Sequence, residues 1–318
     1  MSLDLSIVTT LYGSAEYLPR FHRRMRAAAE AAGYGHVEMI YVNDASPDES
    51  RDIALLLQKG DSSVVVIDLA RNTGHHRAIM VGLAHARGDS VFLIDSDLEE
   101  PPELLIPMAA RRREESSLDV VYGVPRRRRG GWLERWAGRL FYRMLSWAAD
   151  FDVPVDAATV RLMDRHYVNA LLRFRERVLM IGGVFALAGF RQESLLFDKA
   201  SSSTTTYDFG RRVGQAVTAL TSFSDKPLRA FLGVGLGITL IAAIVGTWTI
   251  TMRLVGTTPT HGYASLMVSV WGLGGLMLLT IGILGTSLAR VYRAVKRRPL
   301  WIERPRGPVG DASEGVLR

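Results

Sequence analysis

Asp95 and Asp97, two carboxylates separated by one residue in Leu93-Ile94-Asp95-Ser96-Asp97, have a spacing that invites a chemical reading. Carboxylate oxygens are hard ligands, and a pair of this kind suits Mg²⁺ or Mn²⁺ in company with phosphate oxygens. A cation so held would neutralise a diphosphate and make it a better leaving group, which is the electrostatic help that a transfer from a diphosphate donor needs. Asn43-Asp44 and Arg71-Asn72 are two further polar clusters of interest. Other chemistries are excluded. The chain has no cysteine, which rules out disulfides, thiolate zinc sites and thiol nucleophiles. The turn Thr9-Thr10-Leu11-Tyr12-Gly13 lacks the glycine fingerprint of dinucleotide sites, and neither G-x-x-x-x-G-K-[ST] nor H-E-x-x-H occurs. His75 and His76 are adjacent, so on a helix they point about 100° apart and share a metal poorly.

These clusters gain meaning from the elements that must carry them. Strand candidates at Leu5–Leu11, Val37–Val42, Val64–Leu69, Ser90–Ile94 and around Val120–Tyr122 alternate with helical stretches at about 16–32, 46–59, 75–87 and 101–115. Ser46-Pro47-Asp48-Glu49 has the capping residue, the N1 proline and the N3 glutamate of a helix start. Alternation at this pitch predicts an α/β domain with a mainly parallel sheet covered on both faces. Ligands of such sheets sit beyond the carboxyl ends of the strands. Asn43-Asp44, Arg71-Asn72 and Asp95-Ser96-Asp97 each follow one of those ends.

The last third reads differently. Ala230–Met252 and Tyr263–Ala289 are uncharged stretches of 23 and 27 residues, separated by a short loop with Pro259. Each is long enough to cross a hydrocarbon core of about 30 Å. Lys226 and Arg229 before the pair, and Arg290 to Arg298 after it, place both termini in the cytoplasm by the positive-inside bias. The first residues carry no secretory pattern. The sequence therefore predicts residues 1–225 as a cytoplasmic domain, 226–300 as a transmembrane hairpin and 301–318 as a disordered cytoplasmic tail. Lys plus Arg is 39 against 32 for Asp plus Glu, a net charge of +7. The excess concentrates in Arg126 to Arg129 and in the aromatic-rich stretch Trp132–Ala149. That stretch suits a helix lying in the headgroup region of an anionic membrane, with Arg126, Arg127, Arg128, Arg135 and Arg139 able to meet a lipid phosphate. Basic residues placed beside membrane-type helices argue against a nucleic-acid partner. Small residues such as Gly233 and Gly237 allow close helix approach and a homo-oligomer.

Three ordered motifs carry a family resemblance. Val42-Asn43-Asp44-Ala45-Ser46-Pro47-Asp48, Arg71-Asn72-Thr73-Gly74-His75 and Asp95-Ser96-Asp97-Leu98-Glu99-Glu100-Pro101-Pro102-Glu103 resemble V-D-D-G-S-x-D, R-N-x-G-H and D-A-D-L-Q-x-P-P-E of family 2 glycosyltransferases. With the hairpin, the chain is similar to the polyprenyl-phosphate branch, which includes dolichol-phosphate mannose synthases. The resemblance implies a GT-A fold and an inverting transfer from a nucleoside-diphosphate sugar to a polyprenyl phosphate at the inner membrane. Thr10, Tyr12, Glu16, Asp44, Arg71 and Asp95 would then line the donor pocket, and Asp97 with Asp95 would hold Mg²⁺ or Mn²⁺. Two segments depart from the branch. Asp156-Ala157-Ala158-Thr159-Val160-Arg161-Leu162-Met163 stands where D-A-G-D-F-R-L-M is usual, so Thr159 replaces the carboxylate assigned to catalysis. Asp156 remains as a carboxylate nearby. Ser203-Thr204-Thr205-Thr206-Tyr207 lacks the lysine and glutamate of G-E-S-K-Y. A phosphomonoester is mostly a dianion at neutral pH and barely needs a general base, so an active enzyme is still expected. Transfer to a lipid-linked glycan hydroxyl, or an idle nucleotide-sugar-binding scaffold, are the alternatives.

Overall fold

A computed structural model describes residues 3–126, 158–174, 181–199, 262–296 and 299–305, with isolated positions between 237 and 255. The chain divides into two compact units. The first takes Met1–Gly138, Val153–Thr206 and Arg298–Arg318, and the second takes Arg139–Asp152 and Tyr207–Arg297.

In the first unit the expected alternation holds. β1 (Leu5–Leu11), α1 (Leu18–Ala31), β2 (Val37–Asn43), α2 (Ser50–Gly60), β3 (Val64–Asp68), α3 (His75–His85) and β4 (Ser90–Leu93) follow in order. A short 3₁₀ turn (Pro102–Leu104), α4 (Leu105–Glu114), β5 (Val120–Pro125), β6 (Arg161–Asp164), α5 (Arg165–Leu171), α6 (Ile181–Leu187) and β7 (Gln192–Phe197) complete it. Among the described residues the sheet order is β3-β2-β1-β4-β6-β5-β7, with only β6 antiparallel to its neighbours. β1 is buried at every position, because helices cover both faces. Leu5, Ile7 and Leu11 pack on one core and Val8 on the other, as the two-residue period of a strand demands. α1 presents Leu18, Phe21, Met25, Ala28 and Ala29 to the first core at helical spacing.

One local expectation fails. Ser46 and Glu49 do not form a capping box, since α2 begins at Ser50. Asp48 takes the role instead, accepting from the Ser50 N–H at 3.1 Å and from the Ser46 and Ser50 hydroxyls at 2.5 Å each. It also accepts from the Ala15 N–H, tying this turn to the β1–α1 loop. These donors hold its carboxyl at about 2 despite partial desolvation. The motif thus serves a junction of two loops rather than one helix end.

α3 lies so close to β1 and β2 that Gly82 has no room for a side chain. A Cβ there would stand 2.4 Å from Val8 Cγ1 and 3.1 Å from Val42 Cγ2. Gly82→Ala is expected to cost about 1–3 kcal/mol by overpacking. Thermal denaturation should show it as a fall in melting temperature.

In the second unit α7 (Tyr263–Val295) is one continuous helix. Within it Gly272–Ala289 has a mean hydropathy of 1.7, and none of that stretch is buried. This helix covers the second expected span, Tyr263–Ala289. The first span, Ala230–Met252, and the Trp132–Ala149 helix lie outside the described residues, apart from isolated positions in the former.

Candidate active site

The parallel register brings the ends of β1, β2 and β3 level, pairing Leu11 with Asn43 and Asn43 with Asp68. β4 runs beside β1 and stops at Leu93, opposite Val8. The loops that follow therefore open on one edge of the sheet, and they carry all three sequence motifs. Two non-glycine residues with positive φ stand there: Ala45 (φ 51°), directly after Asp44, and Leu98 (φ 61°), directly after Asp97. Such conformations cost energy for a residue with a Cβ and persist where surrounding contacts impose them.

Asp44 is only 2% exposed. Its Oδ1 accepts from the Thr73 N–H at 2.6 Å and the Thr73 hydroxyl at 2.9 Å, and its Oδ2 accepts from the Gly74 N–H at 2.9 Å. The carboxylate expected to meet the donor therefore pins the Arg71–Gly74 loop first. Gly74 has φ 91°, a conformation that glycine adopts without steric cost, and α3 starts immediately after it. Arg71 is exposed on that loop, and Tyr12 (59% exposed) and Glu16 are exposed on the loop after β1. Thr10 is nearly buried at the end of β1, where its hydroxyl meets His75 Nδ1 at 3.0 Å.

His75 Nε2 then lies 3.6 Å from Asp95 Oδ1. Thr10, His75 and Asp95 thus form a chain across the ends of β1, α3 and β4. Sequence reasoning weighed His75 only as a metal ligand and missed this role, although its place in R-N-x-G-H was a signal. Ser96, between the two aspartates, is buried. Its hydroxyl donates to the Thr10 carbonyl at 3.1 Å and meets Ser14 Oγ at 2.9 Å. That anchor sets the backbone from which Asp95 and Asp97 project.

Asp97 is exposed at the rim, and its Oδ1 accepts from the Glu99 N–H at 2.9 Å. Desolvation by the surrounding protein raises its carboxyl above the ordinary range, and the charges of Asp95 and Glu99 add to that. The Glu99 N–H and Lys199 oppose the rise. Behind it sits Glu100, 4% exposed, with Oε2 lacking a hydrogen-bond partner among the described residues. Burial first, then Asp95, pushes this carboxyl up to about 8, against a lowering hydrogen bond from the Val160 backbone. Lys199 was also missed by sequence reasoning. It follows β7 and places Nζ 2.5 Å from Glu99 Oε2, a position that only strand order reveals.

The Val160 contact brings the departing segment to this cluster. Thr159 is half-buried beside it, while Asp156 lies outside the described residues. Arg161 on β6 is 3% exposed and holds the segment from below. Its Nε donates to the Thr159 carbonyl and its Nη2 to the Ala158 carbonyl, both at 3.1 Å, and its guanidinium stacks 3.3 Å from the Phe185 ring. Burial lowers its pKa to about 10, still charged at neutral pH. Of the arginines expected near a lipid phosphate, Arg126 is described. Its N–H donates to the Phe197 carbonyl at 2.9 Å, and its side chain pairs with Asp198 at 3.8 Å. Arg127, Arg128, Arg135 and Arg139 lie outside the described residues.

A divalent cation fits what is present. Asp95 and Asp97 are oxygen donors in a cluster of like charge that a cation would relieve. Among the described residues no group of three His, Cys, Asp or Glu side chains is placed to enclose a metal. Mg²⁺ in phosphate-handling sites commonly takes only one or two carboxylates and completes its shell with phosphates and water.

Residues 6–182 match the model of the family described as Glycosyl transferase family 2. The chain belongs to that family. The Asp95–Asp97 pair, the Asp44-pinned loop and the mainly parallel sheet are thus parts of a family 2 glycosyltransferase with a GT-A-like α/β domain. A Mycobacterium tuberculosis protein counted among glycosyltransferases is 43% identical over 302 residues, covering 95% of this chain and 88% of that one. A prophage-derived bactoprenol glucosyl transferase of Shigella flexneri is 31% identical over 302 residues, covering 94% of this chain and 97% of that one. A prophage bactoprenol glucosyl transferase homolog of Escherichia coli is 30% identical over 302 residues, with 94% and 98% covered. The protein is a glycosyltransferase, which removes the idle scaffold from consideration.

Proposed function

We propose that this glycosyltransferase moves a sugar from a nucleoside-diphosphate donor to a polyprenyl phosphate at a membrane surface. The observation that carries the reading is the Asp95-Ser96-Asp97 turn. It is fixed by the buried Ser96 at the strand ends and followed by strained backbone at Leu98. Full-length similarity to proteins named bactoprenol glucosyl transferases supports the acceptor and makes glucose the first sugar to test. The apolar stretch Gly272–Ala289 supports a membrane location, with the hairpin as the proposed topology and the sheet unit on the cytoplasmic side.

Asp95 and Asp97 would hold Mg²⁺ or Mn²⁺, which when bound offsets the charge of the departing nucleoside diphosphate. The remaining work falls to the chain itself. Asp44 fixes the Arg71–Gly74 loop, Tyr12 offers an exposed ring for a nucleobase, and His75 orients Asp95. Lys199 stands ready to exchange Glu99 for a phosphate oxygen. Arg126 and the arginines that follow it would meet the lipid phosphate.

The test combines membranes containing the protein, undecaprenyl phosphate, Mg²⁺ or Mn²⁺, and a panel of radiolabelled nucleotide sugars. Label passing into the organic phase identifies the donor sugar, and no transfer from any donor overturns the acceptor. Thr159→Ala distinguishes the nucleophile. With a phosphate dianion the variant should keep turnover within about threefold of wild type. A loss of several hundredfold would give Thr159 a chemical role beyond that of a bystander to a phosphate nucleophile.

A further inference from the structure

Among the described residues β3 is an edge strand, and its outer side presents backbone groups that no other described strand of the sheet pairs. A short piece of chain from beyond α7 covers the carboxyl end of that edge. Glu303 bridges Leu69 in antiparallel fashion. The Ala70 N–H donates to the Ile302 carbonyl at 2.9 Å, and the Arg304 N–H donates to the Asp68 carbonyl at 2.8 Å. Trp301 packs against the core between α3 and the sheet, and its Nε1 donates to Glu303 at 3.1 Å. Glu303 also lies 3.4 Å from His85 of α3, and the Arg304 guanidinium reaches the Asp68 carboxylate at 3.5 Å. These residues were expected to open a disordered tail. Their apolar and charged side chains find partners that are visible only once the sheet is assembled.

The anchor points of this strap are the roots of the motif loops. The Asp68 carboxylate receives Asn43 Nδ2 and Arg51 Nε at 2.7 Å each, besides Arg304. The Asn43 carbonyl accepts the Leu69 N–H at 2.9 Å. Asn43 immediately precedes Asp44, and Ala70 immediately precedes Arg71. The strap thus grips β3 from outside at the rung where β2 grips it from inside, just before the loop that Asp44 pins.

We propose that Trp301–Arg304 is a positioning strap that holds the ends of β2 and β3, and through them the Asp44–Gly74 contact, in donor-binding geometry. Its catalytic consequence rests on the donor reading given above; its structural part does not. Without the strap, the last rungs of an edge strand are held on one side and open more often.

Amide hydrogen exchange on the full-length chain in lipid nanodiscs tests this, compared with a truncation after Leu300 and with Trp301→Ala combined with Arg304→Ala. Thr73 and Gly74 donate their N–H groups to Asp44 and not to the strap. Their exchange should quicken about tenfold in both variants, while β1 and β4 keep their protection. Unchanged exchange at Thr73 and Gly74 would overturn the proposal. Equal loss of protection in β1 and β4 would overturn it too, by making the strap a general stabiliser. With UDP-glucose and undecaprenyl phosphate as probes, donor KM should rise about fivefold in the double variant with acceptor KM unchanged, and Arg304→Lys should recover part of the loss. A proportional fall in kcat with both KM values unchanged would remove the link to the donor. If these probes support no transfer at all, the exchange result still decides the strap while the donor reading falls.

Discussion

Asp97→Asn should abolish sugar transfer, by a factor on the order of 10³ or more, while leaving the protein at least as stable as the wild type. Both halves follow from the same geometry. The amide keeps the size of the side chain and can still accept from the Glu99 N–H, so the turn after β4 should persist. It removes one of the two charges available to a divalent cation, and with it the offset to the diphosphate. Stability moves the other way. The folded protein raises the Asp97 carboxyl above its ordinary 3.8, so the native state binds a proton more readily than the unfolded chain. Stability is therefore lost as pH rises from the ordinary value through the raised one, and a neutral side chain escapes that loss. Turnover in the lipid-extraction assay and a melting curve at neutral pH check the pair of outcomes. Near-normal turnover with metal still required would move the ligand role to another residue.

Glu100→Gln should produce the largest gain in stability, and one that depends on pH. The buried carboxyl is shifted from an ordinary 4.5 up to about 8. Between those values the unfolded chain has released its proton and the folded chain has kept it, so wild-type stability falls as pH rises. At pH 7 the penalty is on the order of 3 kcal/mol, from about 1.4 kcal/mol per unit over the interval below the folded value. Glutamine carries no such penalty. Melting temperatures of variant and wild type should coincide near pH 4.5 and diverge toward pH 8, with the variant higher. Added Mg²⁺ should narrow the gap, because a cation at Asp95 and Asp97 removes two of the charges that hold Glu100 neutral. The same variant probes the acceptor. Glu100 lies beside the Thr159–Val160 backbone and has a pKa suited to general-base work at neutral pH. With a phosphate acceptor, turnover should survive the change within a few fold; collapse would make Glu100 the base that a hydroxyl acceptor requires.

The linear chain made much of this legible. The short apolar run Leu5–Leu11 and the helical stretch that follows it are local properties, so their alternation along the chain predicted a mainly parallel sheet, and the loops bearing Asp44, Arg71 and Asp95 fell where such sheets bind ligands. Motif order was enough to point to family 2, because each motif is a short contiguous run. The stretch Tyr263–Ala289 was equally plain as a helix, since a long uncharged run needs no partner to be recognised, though the helix itself continues to Val295.

What stayed hidden needed pairs of residues far apart in sequence. Asp44 spends its carboxylate on Thr73 and Gly74, and Lys199 meets Glu99 only because the chain beyond β7 returns to the end of β4. Asp48 capped a junction of two loops where local spacing predicted a single helix cap. Sequence determined which residue types were available and which strand each motif follows, because backbone propensity and hydrophobic period act over a few residues. Only the tertiary structure decided that the segment after α7 pairs with the edge of β3, and that Glu100 Oε2 is buried with no hydrogen-bond partner among the described residues. Those outcomes depend on which surfaces the assembled sheet leaves open or closes off, and no local stretch of chain carries that information.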